Sequence, residues 1–546
     1  MDLKKYKLPG DQLKITKLFG RLPVNTRSVN FDISDYEFLF KDEKTINLIK
    51  SGNTIGCFYI ESPGMRSLLK RLEVDNFELL TAASSIIRPG VAESGMMQQF
   101  ILRHKNPAMR KYFIPQMEKV LGDTYGIMIY QEDVLKVAHF IAGLTMDEAD
   151  ILRRAMSGKM RSHRAMEALT TRFFDSCREK KLSDFVAKEL WRQIESFAGY
   201  AFCKAHSASF ALLSFQVAYL KAHYPAEFMA SVLSNGGGYY SAAVYIQEAK
   251  RLDIEVKLPC INNSGYQYSG KDKIIRIGLT AIKNISHETC KVIISEREQN
   301  GIYTSLLNFI SRVQSGFEET SMLIKIGALD CFNETRPSLL RMLDIYSHHL
   351  RSLSQNLLSL FADEYYKLIA EVKTDKDYTP EVKCMIEYDS LGYMVTKHPL
   401  EFYSDLISKP GIIKAAEMYK FDGKRVKMAG WFMTSKRIRT KKGDIMKFLS
   451  LEDLSGTFEA VIFPKIYSSI AEKTLSMGPF ILEGKVDAVN GGNIIVEKLD
   501  IIVNSGLKST LQKDSSDYYY TPDDEGFIED DIWISKQEKF RESIAI

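Results

Sequence analysis

Apolar residues at three- and four-residue steps dominate the first two thirds of the chain and predict helices. Phe210, Leu213, Val217, Leu220 and Tyr224 form one stripe of a helix expected from about Ala205 to His223, which Pro225 limits. Upstream, Ser62 before Pro63 is a helix start, with Met65, Leu68, Leu69 and Leu72 as the apolar face. A second helix follows from Phe77 to Ile87 and stops at Arg88, Pro89 and Gly90. Asp35 suits an N-cap, and Thr145 with Glu148 spells a capping box that opens a helix closed by Gly158. Residues 165–196 read as one long amphipathic helical stretch, residues 240–252 as a helix and residues 254–258 as a short strand. Beyond residue 425 the pattern changes. Segments 425–432, 446–453, 457–463, 479–489 and 493–503 alternate or run apolar at strand length, with a helix at 465–475 after the third. Five strands with that helix predict an OB-fold barrel.

Composition adds bounds rather than identity. With 546 residues the chain holds three or four domains. A hydrophobic content of 45% and a charged content of 26% are those of a globular protein. The net charge of +4 means that any nucleic-acid surface is local. The seven cysteines form no CxxC pair, so neither a zinc site nor a disulfide framework is expected, and a reducing cytoplasm fits. No signal peptide and no membrane-length apolar run stand out, and no membrane partner is expected.

Candidate chemistry gathers at helix ends. Lys204, His206 and Ser207 fall on the first turn of the 205–223 helix, where unpaired N–H groups and the dipole favour phosphate. Arg153, Arg154 and Lys159 put three cations on one helix and its cap, enough to offset much of a triphosphate's charge. A solvated basic face is the alternative. Lys436, Arg437, Arg439, Lys441 and Lys442 crowd the expected loop between the first two barrel strands, a place where OB-folds bind single strands. The 235–238 run NGGG is a flexible break, because no Gly-Lys-Ser/Thr follows it. Asp32 and Asp35 look like paired carboxylates, but a helix start explains Asp35 better than a metal does.

The wording YAFCKAHSASFALLSFQVAYLKAHYPAEF resembles the fingers of bacterial C-family DNA polymerases, and the similarity runs from about Leu48 to about Val503. The segment with Tyr130, Gln131 and Glu132 resembles a family motif, and the glycine run and Gly95-Met-Met resemble the error-prone branch. The resemblance implies a multidomain chain that is mainly α-helical through its fingers and helix-hairpin-helix region, followed by an all-β OB-fold barrel and a disordered tail. The expected layout is a lead-in (1–50), fingers (51–268), the hairpin region (269–345), a helical linker (346–395), the barrel domain (396–504) and an acidic tail (505–546). It also implies that Arg88, Arg153, Arg154, Lys159, Lys204, His206 and Ser207 hold an incoming deoxynucleoside triphosphate. Gln355, Leu358, Leu360 and Phe361 have the shape of a peptide that plugs into a sliding clamp, apolar anchors filling a pocket behind a glutamine. Residues 283–286 read Lys-Asn-Ile-Ser where the family carries glycines, so packing rather than DNA contact is expected there.

Polymerases place two Mg²⁺ ions on palm carboxylates, which the family carries ahead of the fingers. The similarity begins after that palm. The chain is therefore expected to bind no magnesium itself and to be inactive alone, as part of a nucleotidyltransferase whose metals arrive on a separate palm-bearing chain. Expected partners are primer-template DNA, deoxynucleotides and the sliding clamp, in replication or repair. Two rival expectations are a noncatalytic DNA- and clamp-binding module and the remnant of a split polymerase gene.

Overall fold

The computed structural model describes residues 32–87, 95–156, 163–195, 203–352, 373–440, 442–488 and 491–502. Arg88, Lys159, Lys441, the 355–361 heptapeptide expected to engage a clamp and the 505–546 tail lie outside them. Among the described residues, helices build the region up to residue 391 and enclose one small sheet. In that sheet β3 (Ile274–Arg276) sits between β1 (Glu255–Lys257), to which it is parallel, and β2 (Ser269–Lys271), to which it is antiparallel. One apolar core runs without a break from Ile49 through the hairpin region to Val395.

Local capping signals set the helix starts. Asp35 accepts from the Phe38 N–H (3.1 Å), and Ser62 caps Pro63–Leu72, whose Met65, Leu68, Leu69 and Leu72 are buried. Thr145 and Glu148 close their capping box in both directions, at 2.8 and 3.2 Å. The stretch expected to be one helix over 165–196 is two, His163–Glu179 and Asp184–Glu195. The chain reverses at Lys181, whose φ of 57° is incompatible with a continuing helix.

The central helix spans Lys204–His223, but its buried face differs from the expected stripe. Ser207, Ala211, Ser214, Phe215, Ala218 and Tyr219 are buried, whereas Leu213 is 40% exposed and Phe210, Val217 and Leu220 are half-buried. Small residues let the helix lie close against Phe77–Ile86, which is buried from Leu79 onward. A hydroxyl pair, Ser85 and Ser207 at 2.7 Å, fastens the two helices, and Phe40 wedges between Phe77 and Phe215.

Residues 425–501 form a closed five-stranded barrel of OB type, in the order β4 (Arg425–Arg439), β5 (Ile445–Glu452), β6 (Thr457–Ile462), β8 (Asn493–Ile501), β7 (Phe480–Asp487). The parallel β6–β8 pair closes it, and the helix Pro464–Ile470 follows the third barrel strand. β4 continues to Arg439 instead of stopping at Phe432, because it stays paired with β5 beyond a bulge after Phe432.

The barrel is joined to the helices by a chain of buried charges. Lys221 donates to Glu248 (2.7 Å) and to the carbonyls of Asn53 and Ile55 (2.8 Å each). Arg251 links Glu248 to Glu452 of β5, at 3.1 and 2.8 Å, and His398 stands 3.6 Å from Glu452. A glycine makes a second junction possible. A Cβ on Gly491, at a φ of 115°, would lie 1.9 Å from the Ser67 hydroxyl oxygen of the Pro63–Leu72 helix. Gly491→Ala is expected to cost about 1–3 kcal/mol of stability by urea unfolding. A cost below about 0.5 kcal/mol would mean that this contact does not position the barrel.

Candidate nucleotide and nucleic-acid interface

Three segments meet where the triphosphate site was expected. The turn before Gln131–Lys136 is held by the Asp133 carboxylate, which accepts from the N–H groups of Ile129 and Tyr130 at 3.0 Å each. Burial pushes that carboxyl up to about 6, against the pull of the two N–H groups. With the turn fixed, Gln131 and Glu132 face different partners. Gln131 accepts from Arg153 (3.1 Å), and Glu132 accepts from the backbone N–H of Lys204 (2.8 Å). The Lys204 ammonium also stands 5.2 Å from the centre of the buried Tyr130 ring, within cation–π reach.

Arg153 and Arg154 share Asp150. Arg153 donates to it from two nitrogens, at 3.0 and 2.8 Å, and Arg154 from Nε at 2.6 Å. These bonds hold the Asp150 carboxyl below the ordinary carboxylate range. Arg153 is less exposed than Arg154, at 29% against 64% of the side chain. Bidentate pairing orients a guanidinium before any ligand arrives. A phosphate would then replace a carboxylate rather than order a loose chain.

At the first turn of the 204–223 helix, the Cys203 sulfur caps the His206 N–H at 3.4 Å. The His206 ring meets Phe210 edge to face at 4.4 Å, and Phe210 stacks on Tyr59 at 4.9 Å and packs at a tilt against Phe58 at 5.5 Å. Phe58 is 47% exposed, so this aromatic ledge beside His206 reaches the surface. Ser207 does not belong to the site. It is fully buried and its hydroxyl is committed to Ser85, because the helix turns that position toward its neighbour. The structure thus brings Arg153 and Lys204 together through the adjacent residues Gln131 and Glu132, with His206 half a turn onward and Arg154 outside.

The barrel cations do not share one loop. Lys436, Arg437 and Arg439 lie on β4 and are exposed, paired across to Phe448, Lys447 and Ile445. Successive strand residues point to opposite faces, which separates Lys436 from Arg437 and Arg439. Only Lys442 of the described residues occupies the tip, which bonds between Thr440 and Asp444 close.

A second basic feature was not apparent in the sequence. A cavity of about 620 Å³ opens between the Pro63–Leu72 helix and the barrel, lined by Arg66, Lys70, Arg71 and Lys105 and by the β5–β6 and β7–β8 connections. Arg66 bridges its walls, donating to the Gly52 carbonyl (2.9 Å) and the Thr457 hydroxyl (3.0 Å). Burial, with Arg66 nearby, lowers the Lys70 ammonium to about 8. Burial likewise lowers the Arg71 guanidinium, against the opposing pull of Asp487. Crowded cations in a concave wall favour an anion. The alternation of Arg66, Lys70 and Arg71 with Met65, Leu68, Leu69 and Leu72 was the available signal, and it reads equally well as a solvated helix face.

At the hairpin, Asn284 takes a φ of 62°, supplying the left-handed residue that glycine would otherwise provide. The Ser286 N–H donates to Glu319 (2.7 Å), and Lys283 N–H to the Ser390 carbonyl (2.8 Å). These donors are spent on packing. Among the described residues no group of three or more His, Cys, Asp or Glu side chains could hold a metal ion, and no helix is long and apolar enough to cross a membrane.

Residues 15–181 match the family model of the bacterial DNA polymerase III alpha subunit finger domain, and residues 253–339 match a helix-hairpin-helix motif. The DNA polymerase III subunit alpha of Staphylococcus epidermidis strain RP62A is 32% identical over 490 residues, which are 88% of this chain and 44% of that protein. That of Staphylococcus aureus strain N315 is 32% identical over 470 residues, 84% of this chain and 42% of that protein. The chain spans less than half the length of these curated relatives.

Proposed function

Since this chain belongs to the bacterial C-family DNA polymerases, as a region from the C-terminal half of an alpha-type subunit, we propose that it holds the incoming deoxynucleotide and the template for DNA synthesis. The observation that carries this reading is the junction at Gln131 and Glu132, which joins Arg153, within the residues that match the finger domain, to the start of the Lys204 helix beyond them. Arg153, Lys204 and His206 would receive the triphosphate, with Arg88 and Lys159 completing the set. The ledge of Phe58, Tyr59 and Phe210 offers a flat apolar surface to a base. The clamp contact through Gln355, Leu358, Leu360 and Phe361 belongs to the same proposal.

Catalytic Mg²⁺, in this reading, comes with a palm-bearing chain and supplies activation of the primer hydroxyl and stabilisation of the leaving pyrophosphate. The residues present orient the nucleotide and offset its charge. Primer extension tests the assignment. The chain alone, with Mg²⁺, primer-template and deoxynucleotides, is expected to be inert, and adding the palm-bearing product of a neighbouring reading frame is expected to restore synthesis. Synthesis by the chain alone would overturn the division of labour, and inertness with every such product would leave a binding module.

The cavity beside Arg66 and the exposed cations of β4 support single-strand binding by the barrel side of the chain. Replacing Lys70 and Arg71 with alanine is expected to weaken oligo(dT) binding and to lower the salt dependence of log K by about 1.4, or about 0.7 per lost phosphate contact. An unchanged slope would remove the cavity from the strand's path.

A further inference from the structure

Four of the seven cysteines are inert by burial. It raises the thiol of Cys57 to about 12 and those of Cys177, Cys290 and Cys384 to about 11 each. Cys260 and Cys331 differ. Cys260 is buried just after β1, and Cys331 is exposed on the short turn Asp330–Phe332 that follows the Phe317–Lys325 helix. The two segments are lashed together by the Ile261 N–H donating to the Ala328 carbonyl at 2.9 Å. Asn262 spans the gap, donating to the Cys331 sulfur at 3.4 Å, while Asn263 donates to the Cys260 sulfur at 3.5 Å. Asn262 is itself fixed by two 2.8 Å bonds with the Tyr303 backbone. These bonds bring Cys260 and Cys331 side by side, close enough that each shifts the other's acidity.

We propose that Cys260 and Cys331 are a reversible thiol-oxidation site, in which Cys260 attacks a peroxide and Cys331 resolves the product to a disulfide. The two thiols lie on segments tied by the Ile261–Ala328 bond and the asparagine bonds, and the exposed Cys331 opens the pair to a small oxidant. Cys331 beside it lowers the Cys260 thiol below its ordinary range against the opposing effect of burial, with further help from the Asn262 N–H, Arg276 and Asn263. The same interaction raises the Cys331 thiol, so of the two Cys260 gives up its proton more readily.

In the first step the Cys260 thiolate attacks one peroxide oxygen and the O–O bond breaks. Hydroxide leaves and takes a proton as water, and Cys260 becomes the sulfenic acid. The Cys331 sulfur then attacks the Cys260 sulfur. The S–O bond breaks, and the departing hydroxide takes the Cys331 proton as a second water. Two thiols have lost two electrons and hydrogen peroxide has gained them. A dithiol reductant reverses the link by exchange. The bond would pin the loop after β1 to the turn that ends the hairpin unit.

The test uses the full chain with near-stoichiometric hydrogen peroxide, followed by alkylation and non-reducing peptide mapping. A 260–331 linked peptide is expected before Cys57, Cys177, Cys290 or Cys384 is modified, and dithiothreitol should remove it. In Cys331→Ser, a substitution at an exposed position, dimedone should label Cys260. Loss of the free thiols without that linked peptide, or dimedone labelling elsewhere than Cys260 in the variant, would overturn the proposal.

Discussion

Lys221→Met should unfold at a clearly lower urea concentration, with a loss of about 3–5 kcal/mol. The Lys221 ammonium is fully buried and sits in a cage of Glu248 and two backbone carbonyls. Removing it strands all three acceptors and leaves Glu248 with Arg251 alone. Against a typical stability of about 5–15 kcal/mol, such a loss threatens the fold itself. Replacing the pair together, as Lys221→Met with Glu248→Leu, should recover part of the loss, because the uncompensated charge is then gone. A single-variant loss below about 1 kcal/mol would mean that water reaches the site.

The same network sets an acid limit. Burial alone would raise the Glu248 carboxyl, but Lys221 and Arg251 override it and hold it down to about 2, against 4.5 for an unburied glutamate. A depressed folded value stabilises the protein above the unfolded value. Its contribution should therefore be complete above about pH 4.5 and lost as the pH falls toward 2. In Lys221→Met the stability profile over that window should be flatter.

Arg153→Ala should lower kcat/KM for nucleotide incorporation by about 10²–10³-fold in the reconstituted enzyme, the range seen when one preorganised charge-stabilising donor is removed. Arg153 is the guanidinium that both Asp150 and Gln131 aim. Arg154, more exposed and held by Asp150 alone among the bonds described above, should matter less. Lys204→Ala should raise KM or lower kcat through the same site. If Arg153→Ala and Arg154→Ala lower kcat/KM equally, orientation by Gln131 is irrelevant. If neither changes it, the assignment of this site fails.

Local chemistry was legible. Asp35, Ser62 and the Thr145/Glu148 pair are caps because their bonds span only three residues, and the structure places each where its sequence does. The five barrel strands were legible through their alternation and length. The buried face of the 204–223 helix was not, because apolar residues occur on several sides and close packing selected Ala211, Ser214 and Ala218 over Leu213 and Val217. For the same reason the packing of Ser207 against Ser85 was not legible. The cavity at Arg66 was illegible for another reason: its walls come from residues 66 and 457, which only the folded chain brings together.

The most direct measurement is hydrogen exchange on this chain with primer-template and the palm-bearing partner proposed above, with and without the next correct deoxynucleotide. Slowed exchange concentrated at residues 129–136, 150–156 and 203–210 is the expected result. Slowing confined to other parts of the chain, with these three segments unchanged while nucleotide is bound, would contradict it.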